Sequence, residues 1–210
     1  SRRIGFGITG LADMLCKLRL RYDTSETINK VEEVFKFIRN IAYNESSVIA
    51  EEKGSFPAFN HQLHFKQEKF KITEVESQPK KLRNVSLLSI PPVGSGSLLT
   101  QTSSGLEPIF AISYTRRSES LAKKSFKVYH PLAKDYMKKF SINKEENLPS
   151  YFVTVDKIDY KFRVLMQATI QKYVCLSISS TVNLPADINV ATVNSIYMTA
   201  WESGCNGITV

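Results

Sequence analysis

Cysteine is scarce in this 210-residue chain: Cys16, Cys175 and Cys205 are far apart, odd in number and form no Cys-x-x-Cys pair. That argues against a disulfide framework or a cysteine-based zinc module, and it fits a reducing, cytoplasmic setting. No apolar run approaches the roughly 20 residues that cross a bilayer, and the N-terminus shows no signal-peptide core, so no membrane partner is expected. Runs of like charge are missing too, although 28 Lys and Arg against 20 Asp and Glu give a net charge of +8. Basicity spread this evenly describes a solvated surface, with some help for a phosphorylated substrate, and direct nucleic-acid binding is not expected. No Gly-Lys-Ser/Thr closes any glycine loop, which excludes a nucleoside-triphosphatase P-loop.

What is present is enough apolar material for a core. Hydrophobic residues make up 42% of the chain, and the length suits one domain. Strand-like and helix-like stretches alternate throughout, which implies an α/β architecture. Gly5, Gly7 and Gly10 satisfy G-x-G-x-x-G and lead into the helical Leu11–Cys16. A dinucleotide fold would need a second parallel strand about 30 residues on. The next thirty residues are helical instead, so nicotinamide binding is rejected and the glycines are assigned to close strand-to-helix packing. Asp23-Thr24-Ser25-Glu26 has the pattern of a capping box. From Ile28 apolar residues recur at three- and four-residue spacing until Lys53-Gly54, with Pro57 just beyond.

Residues 55–81 show little periodicity and are expected to run over the surface. His61 and His64 lie there three apart, but no carboxylate or cysteine joins them at ligand spacing, so no metal site is expected. His130, alone before Pro131, is expected at the surface or in a capping role. Ile109–Tyr114 reads as a strand running into Arg116-Arg117. That pair suits either a phosphate contact or a solvated turn. A helix is expected over Pro131–Phe140, a short strand at Tyr151–Val155, helical periodicity from Asp159 to Ser179, an extended Thr181–Pro185, a last helix over Val190–Trp201 closed by Gly204, and a final strand at Ile208.

The stretch that organises the rest is 85–110. Val85–Ile90 reads as a short buried strand that breaks at Pro91-Pro92; Gly94 and Gly96 follow, interleaved with Ser95 and Ser97, and a helical turn is expected at Leu98-Leu99. A glycine-serine loop between strand and helix can turn several backbone N–H groups toward one anion. Phosphate is the natural guest, although such a loop is also an ordinary turn.

Six ordered segments carry a resemblance that no single motif would: residues 2–13, RNVSLLSIPPVGSGS at 83–97, TSSGLEPIFAISY at 102–114, MQATIQKYV at 166–174, SISSTVNLP at 177–185 and GCNGITV at 204–210. Together they resemble the C-terminal part of the catalytic barrel of adenosylcobalamin-dependent (class II) ribonucleotide reductases. The resemblance implies part of a ten-stranded α/β barrel, a fragment of a longer chain, and thiyl-radical reduction of ribonucleotides to deoxyribonucleotides. It implies adenosylcobalamin as cofactor of the full-length enzyme, the remainder of the chain as partner, and a homodimer. The cysteines of that chemistry, one of them in an Asn-Pro-Cys-Gly-Glu motif, would lie upstream, so no catalytic residue is expected here. Cys16 and Cys205 are assigned to packing.

The family's Pro-Thr-Gly-Thr/Ser-Ile-Ser motif aligns with Pro92, Val93, Gly94, Ser95, Gly96 and Ser97, which implies that these residues hold the substrate phosphates. Its Ser-Ser-Gly-Ile-Glu-Pro aligns with Ser103, Ser104, Gly105, Leu106, Glu107 and Pro108, which implies a pocket wall; a Glu107 that satisfies neighbouring backbone donors is the structural alternative. The chain departs from the family at Val93 and Gly96, at Cys175-Leu176 in place of Asp-Asn, at Ser180 in place of Lys, and around Lys161–Arg163, where a His is usual. Alternatives are a class I large chain served by a separate radical subunit, or a non-catalytic nucleotide-binding module. A partial barrel would also expose apolar surface and sheet edges.

Overall fold

The computed structural model describes residues 2–66, 79–117 and 125–210. Short extended segments pair in parallel: Phe6 lies opposite Leu88, Ile90 opposite Ile178 and Thr181 opposite Thr209, and a separate bridge joins Ile109 to Thr154. The segment around Leu88 is bonded on both sides. Phe6 donates its amide to the Leu87 carbonyl at 2.7 Å on one flank, and Ser179 donates to Ile90 at 2.7 Å on the other. Leu87, Leu88 and Ile90 are all buried, as expected of a parallel strand covered on both faces. In space the order runs from Phe6 through Leu88 and Ile178 to Thr209, and among the described residues the arc does not close into a barrel.

Parallel neighbours need crossovers, and helices supply them. Helix α1 (Leu11–Lys17) and the long α2 (Ser25–Lys53) follow the first segment. Helix α3 is His61–Lys66 and α4 is Gly94–Thr100. An antiparallel hairpin, β1 (Ser113–Arg117) and β2 (Ser125–Tyr129), pairs Ser113 with Tyr129. Helices α5 (Pro131–Lys139), α6 (Tyr160–Gln171) and α7 (Val190–Glu202) complete the order. Helix α2 packs on α6 and α6 on α7. The main core runs from Leu11 and Leu15 through Val31, Phe35, Leu88 and Ile109 to Met166 and Ile170.

Several expectations are corrected here. Gly5 and Gly7 serve strand-to-strand rather than strand-to-helix contact: a Cβ on Gly7 would stand 2.2 Å from the Ser89 carbonyl oxygen, and one on Gly5 would stand 2.4 Å from Ser89 Oγ. Only Gly10, with φ 81°, opens α1. The capping box is displaced by one residue. Thr24 is the cap and its Oγ1 accepts from the Thr27 amide, while Asp23 pairs with Arg21. Helix α4 begins at Gly94, four residues before Leu98.

Ile109 pairs with Thr154, but the chain then turns into the hairpin, so the expected strand is split; around Tyr151–Val155 only Thr154 pairs. The surface stretch at 55–81 contains α3, where His64 packs on the rings of Phe56, Phe59 and Phe65; its residues 67–78 lie outside the described ones. No cluster of metal-ligating side chains exists among the described residues, nor does any helix among them have the length and apolarity to cross a membrane. Arg116 and Arg117 end β1, and their side chains lie outside the described residues. Phe37, Ile41 and Val48 of α2 are exposed, as are Ile4 and Phe6.

Because the Gly7 clash is with backbone, it cannot be relieved by a rotamer change. In the full chain Gly7→Ala is expected to cost about 3 kcal/mol, read as a lowered thermal midpoint; an unchanged midpoint would show that the two segments are less closely pressed.

Candidate functional site

At the carboxyl ends of the parallel segments lies a cavity of about 620 Å³, the location that open α/β sheets use for ligands. Its floor is Pro91 and Pro92. One rim is the start of α4, through Val93, Gly94, Ser97 and Leu98. The opposite wall is Ser103, Ser104, Gly105 and Glu107, and Thr181 and Asn183 close one side. The hairpin contributes Tyr114 and Tyr129, and His130 follows. Of the residues aligned with the family's phosphate motif, Ser95 and Gly96 do not line the cavity.

The rim is shaped by a missing cap. A helix leaves its first amides without intrahelical acceptors, and an N-cap Ser, Thr, Asp or Asn normally satisfies one of them. Here the N-cap is Val93, which has no oxygen to offer and makes no capping bond. The amides of Gly94, Ser95 and Gly96 therefore have no acceptor among the described residues, whereas that of Ser97 donates to the Val93 carbonyl at 2.9 Å. The Ser97 hydroxyl donates to the Gly94 carbonyl at 2.8 Å. Gly96 is needed locally, since a Cβ there would stand 2.9 Å from Val93 Cγ1; around Gly94 the space is empty.

The wall is stitched to the first segment of the sheet. Gly10 donates its amide to the Ser103 carbonyl at 2.8 Å, and Leu11 donates to that of Gly105 at 3.2 Å. Thr9 Oγ1 donates to the Ser103 carbonyl, and the Ser103 amide donates to Asp13 Oδ2 at 2.6 Å. Asp13 is buried in the first turn of α1. His130 Nε2 stands 3.7 Å from the other Asp13 oxygen, and neither its ring nitrogens nor Ser103 Oγ have a hydrogen-bond partner. His130 is therefore a largely buried cavity residue at the N-cap position of α5, not a surface one. Burial lowers its proton affinity, with Asp13 pulling the other way.

Glu107 does satisfy backbone donors. Its Oε1 accepts from the Thr181 amide at 2.9 Å, and Oε2 pairs with the Arg163 guanidinium. Arg163 is 2% exposed and also donates to the Thr181 carbonyl, Ser180 Oγ and Tyr22 Oη. The Tyr22 hydroxyl in turn donates to the Leu106 carbonyl at 2.7 Å. Burial pushes the Tyr22 phenol up to about 12, against the pull of Arg163. One buried guanidinium thus ties the 103–108 wall to the Ser180-Thr181 segment. The Glu107 carboxylate that faces the cavity is neutralised from behind.

Sequence reasoning missed Arg163, Tyr22, Asp13 and His130 as site residues. The available signals were an arginine inside the apolar run of α6 and an aspartate inside α1. None of Cys16, Cys175 and Cys205 lines the cavity. Cys16 is buried and donates to the Tyr151 carbonyl, and Cys205 packs beside the second core cluster.

An open parallel arc, a cavity at its carboxyl ends and a proline-glycine turn into a short helix describe part of an α/β barrel. The chain belongs to the ribonucleotide reductase barrel-domain family, whose model matches residues 1–210. Vitamin B12-dependent ribonucleoside-diphosphate reductases of Thermoplasma acidophilum and Mycobacterium tuberculosis are each 32% identical to it over 100% of its length. The chain spans 28% and 31% of those two relatives. The class Id ribonucleotide reductase alpha subunit of Actinobacillus ureae shares the fold, with a TM-score of 0.74 at 19% identity over 99% of this chain and 38% of that one.

Two outcomes follow. Arg163→Met leaves Glu107 unpaired and is expected to cost about 3 kcal/mol, measured by denaturant unfolding, with part recovered in the Arg163→Met, Glu107→Leu double variant; additive losses would contradict the pairing. As pH falls below the ordinary histidine value of 6.5 the unfolded chain protonates His130 while the folded chain resists, so stability drops on the acid side. His130→Gln should flatten that drop in a pH series of unfolding curves; an unaltered slope would contradict it.

Proposed function

We propose that these 210 residues form the C-terminal part of the catalytic barrel of a vitamin B12-dependent ribonucleoside-diphosphate reductase, and that they supply its substrate-phosphate loop. The whole protein replaces the ribose 2′ hydroxyl of a ribonucleotide by hydrogen, with water leaving, and so feeds deoxyribonucleotide synthesis. The observation that carries this is the uncapped start of α4 at the cavity rim, where the amides of Gly94, Ser95 and Gly96 have no acceptor among the described residues. N–H groups at a helix start suit a diphosphate oxygen without a basic side chain, and among the described residues no Lys or Arg lines the cavity. The apolar lining from Pro92, Leu98, Phe110 and Tyr114 suits the less polar parts of the nucleotide.

On this account the pocket wall is Ser103, Ser104, Gly105 and Glu107, held by Arg163. Val93 has lost a hydroxyl but in doing so leaves an amide free. The radical and reducing thiols come from the remainder of the chain, since no cysteine of this segment reaches the cavity. Adenosylcobalamin brings its own corrin ligands to cobalt and needs no cluster of protein ligands, and no residue of this segment is assigned to hold it. Identity to the B12-dependent relatives is 32% over the whole chain, against 18% over 99% of it for a Treponema pallidum alpha subunit and 26% and 28% over about half of it for those of Helicobacter pylori and Buchnera aphidicola, which supports the cobalamin type. The three free cysteines fit a cytoplasmic home.

The decisive substitution is Gly94→Asp. Open space surrounds Gly94, so folding should be unaffected, while a carboxylate at the amide cluster repels a phosphate. In the full-length enzyme KM for a ribonucleoside diphosphate is expected to rise about tenfold or more, roughly 1.4 kcal/mol, with Gly94→Ala near normal. An unchanged KM in Gly94→Asp would overturn the assignment.

A further inference from the structure

Beyond the phosphate rim, the 620 Å³ cavity has a side that the diphosphate does not account for. Ile109 is held inward by its bridge to Thr154, and its carbonyl accepts the Val155 amide at 2.9 Å. Successive side chains of an extended segment point to opposite faces. Ile109 is therefore buried while Phe110 turns outward, 73% exposed, and lines the cavity. Tyr114, paired with Val128 in the hairpin, and Leu98 of α4 line the same cavity and are 49% and 76% exposed.

Single exposed apolar side chains are ordinary on a protein surface, but three around one concavity form a patch that a ligand can cover. The surrounding chemistry narrows what that ligand group is. Among the described residues Glu107 is the one Asp, Glu, Lys or Arg that lines the cavity, and its carboxylate is already bound by Arg163 and the Thr181 amide. Neither the Phe110 nor the Tyr114 ring packs on another aromatic ring among the described residues. A flat, uncharged group with π faces suits such a place better than a ribose with its hydroxyls. Spacing agrees. Leu98 follows Gly94 by four residues on the same face of α4, one turn or about 5.4 Å further along, so the apolar side begins within a nucleotide's length of the helix start.

We propose that Phe110 and Tyr114, with Leu98 beside them, form the seat of the substrate's nucleobase, an assignment that rests on the reading of this cavity as a ribonucleotide site. The base lies against the Phe110 ring and keeps its polar edge free, because stacking uses the π face that every base presents. Such a seat takes purines and pyrimidines alike and holds a purine more firmly through its larger face. Discrimination between bases is left to groups other than these three side chains.

The test uses the full-length enzyme, with adenosine and cytidine diphosphates as substrates and inorganic pyrophosphate as a competing ligand that has no base. Phe110→Ala is expected to raise KM about tenfold, more for the adenosine than for the cytidine compound, and to leave inhibition by pyrophosphate unchanged. Phe110→Tyr, which keeps a ring, should recover most of the loss, and Tyr114→Ala is read in the same way if Phe110→Ala does not fold. Gly94→Asp should weaken the diphosphates and pyrophosphate together, so the base seat and the phosphate loop fail separately. An unchanged KM in Phe110→Ala would overturn the base seat whatever Gly94→Asp does; a lowered thermal midpoint beside it would show that the rest of the chain covers the ring instead. Pyrophosphate inhibition weakened in step with KM by Phe110→Ala would overturn it too, because the ring would then shape the whole cavity.

Discussion

Three amide hydrogens at the start of α4 that find no acceptor among the described residues are the constraint around which the candidate site is arranged. They stay open for two reasons that can be traced to single residues. Pro91 and Pro92 end the extended segment and turn the chain into the helix. Val93 then occupies the position where a hydroxyl or carboxylate side chain would ordinarily close the helix start. An open helix start at a cavity rim suits an anion, because partial positive charge gathers at unsatisfied N–H groups.

The opposite wall matters as much as the rim, because a dipole site works only if the space in front of it keeps its shape. That wall is built from a loop, which would be mobile if left to itself. Two sets of bonds fix it. Thr9, Gly10, Leu11 and Asp13 hold Ser103 and Gly105 from the sheet side. Arg163 holds Glu107 and Thr181 from the helix side while bonding Tyr22. Arg163 also meets Ser180, the position where the family usually carries a lysine, so a cation still lies next to that segment although its source is α6 rather than the strand. A buried charge of this kind is retained only where several acceptors surround it.

Much of this was legible in the sequence. Helical periodicity located α2, α5 and α7 to within a few residues, since each presents an apolar face to the core, and it located the start of α6; that helix ends at Gln171, well short of the expected Ser179, because the chain there becomes extended and pairs through Ile178 with Ile90. The order of strand, proline break, glycine loop and helix was visible in residues 85–100, although the helix begins earlier than Leu98 because glycines and serines can fill a first turn when nothing forbids it. What stayed hidden depends on contacts between distant residues. The hairpin escaped because a lysine-rich stretch conceals the alternation of Ser125–Tyr129, which only pairing with Ser113–Arg117 makes meaningful. The partners of Glu107 lie more than fifty residues away in sequence, and no local pattern joins them. Likewise Gly5 and Gly7 were recognised as close-approach residues, but their neighbour, Ser89, is eighty residues on.

The two ends of the parallel segments carry different chemistry on one scaffold. The carboxyl end offers uncapped amides and an apolar floor; the amino end has a second cavity lined by Arg3, Tyr43, His64 and Cys175. The most direct test of the central claim is a crystal structure of the full-length enzyme with a ribonucleoside diphosphate bound. A phosphate oxygen about 3 Å from the amide nitrogens of Gly94, Ser95 or Gly96 is the expected result. A diphosphate seated elsewhere in the cavity, with those amides facing only water, would contradict it.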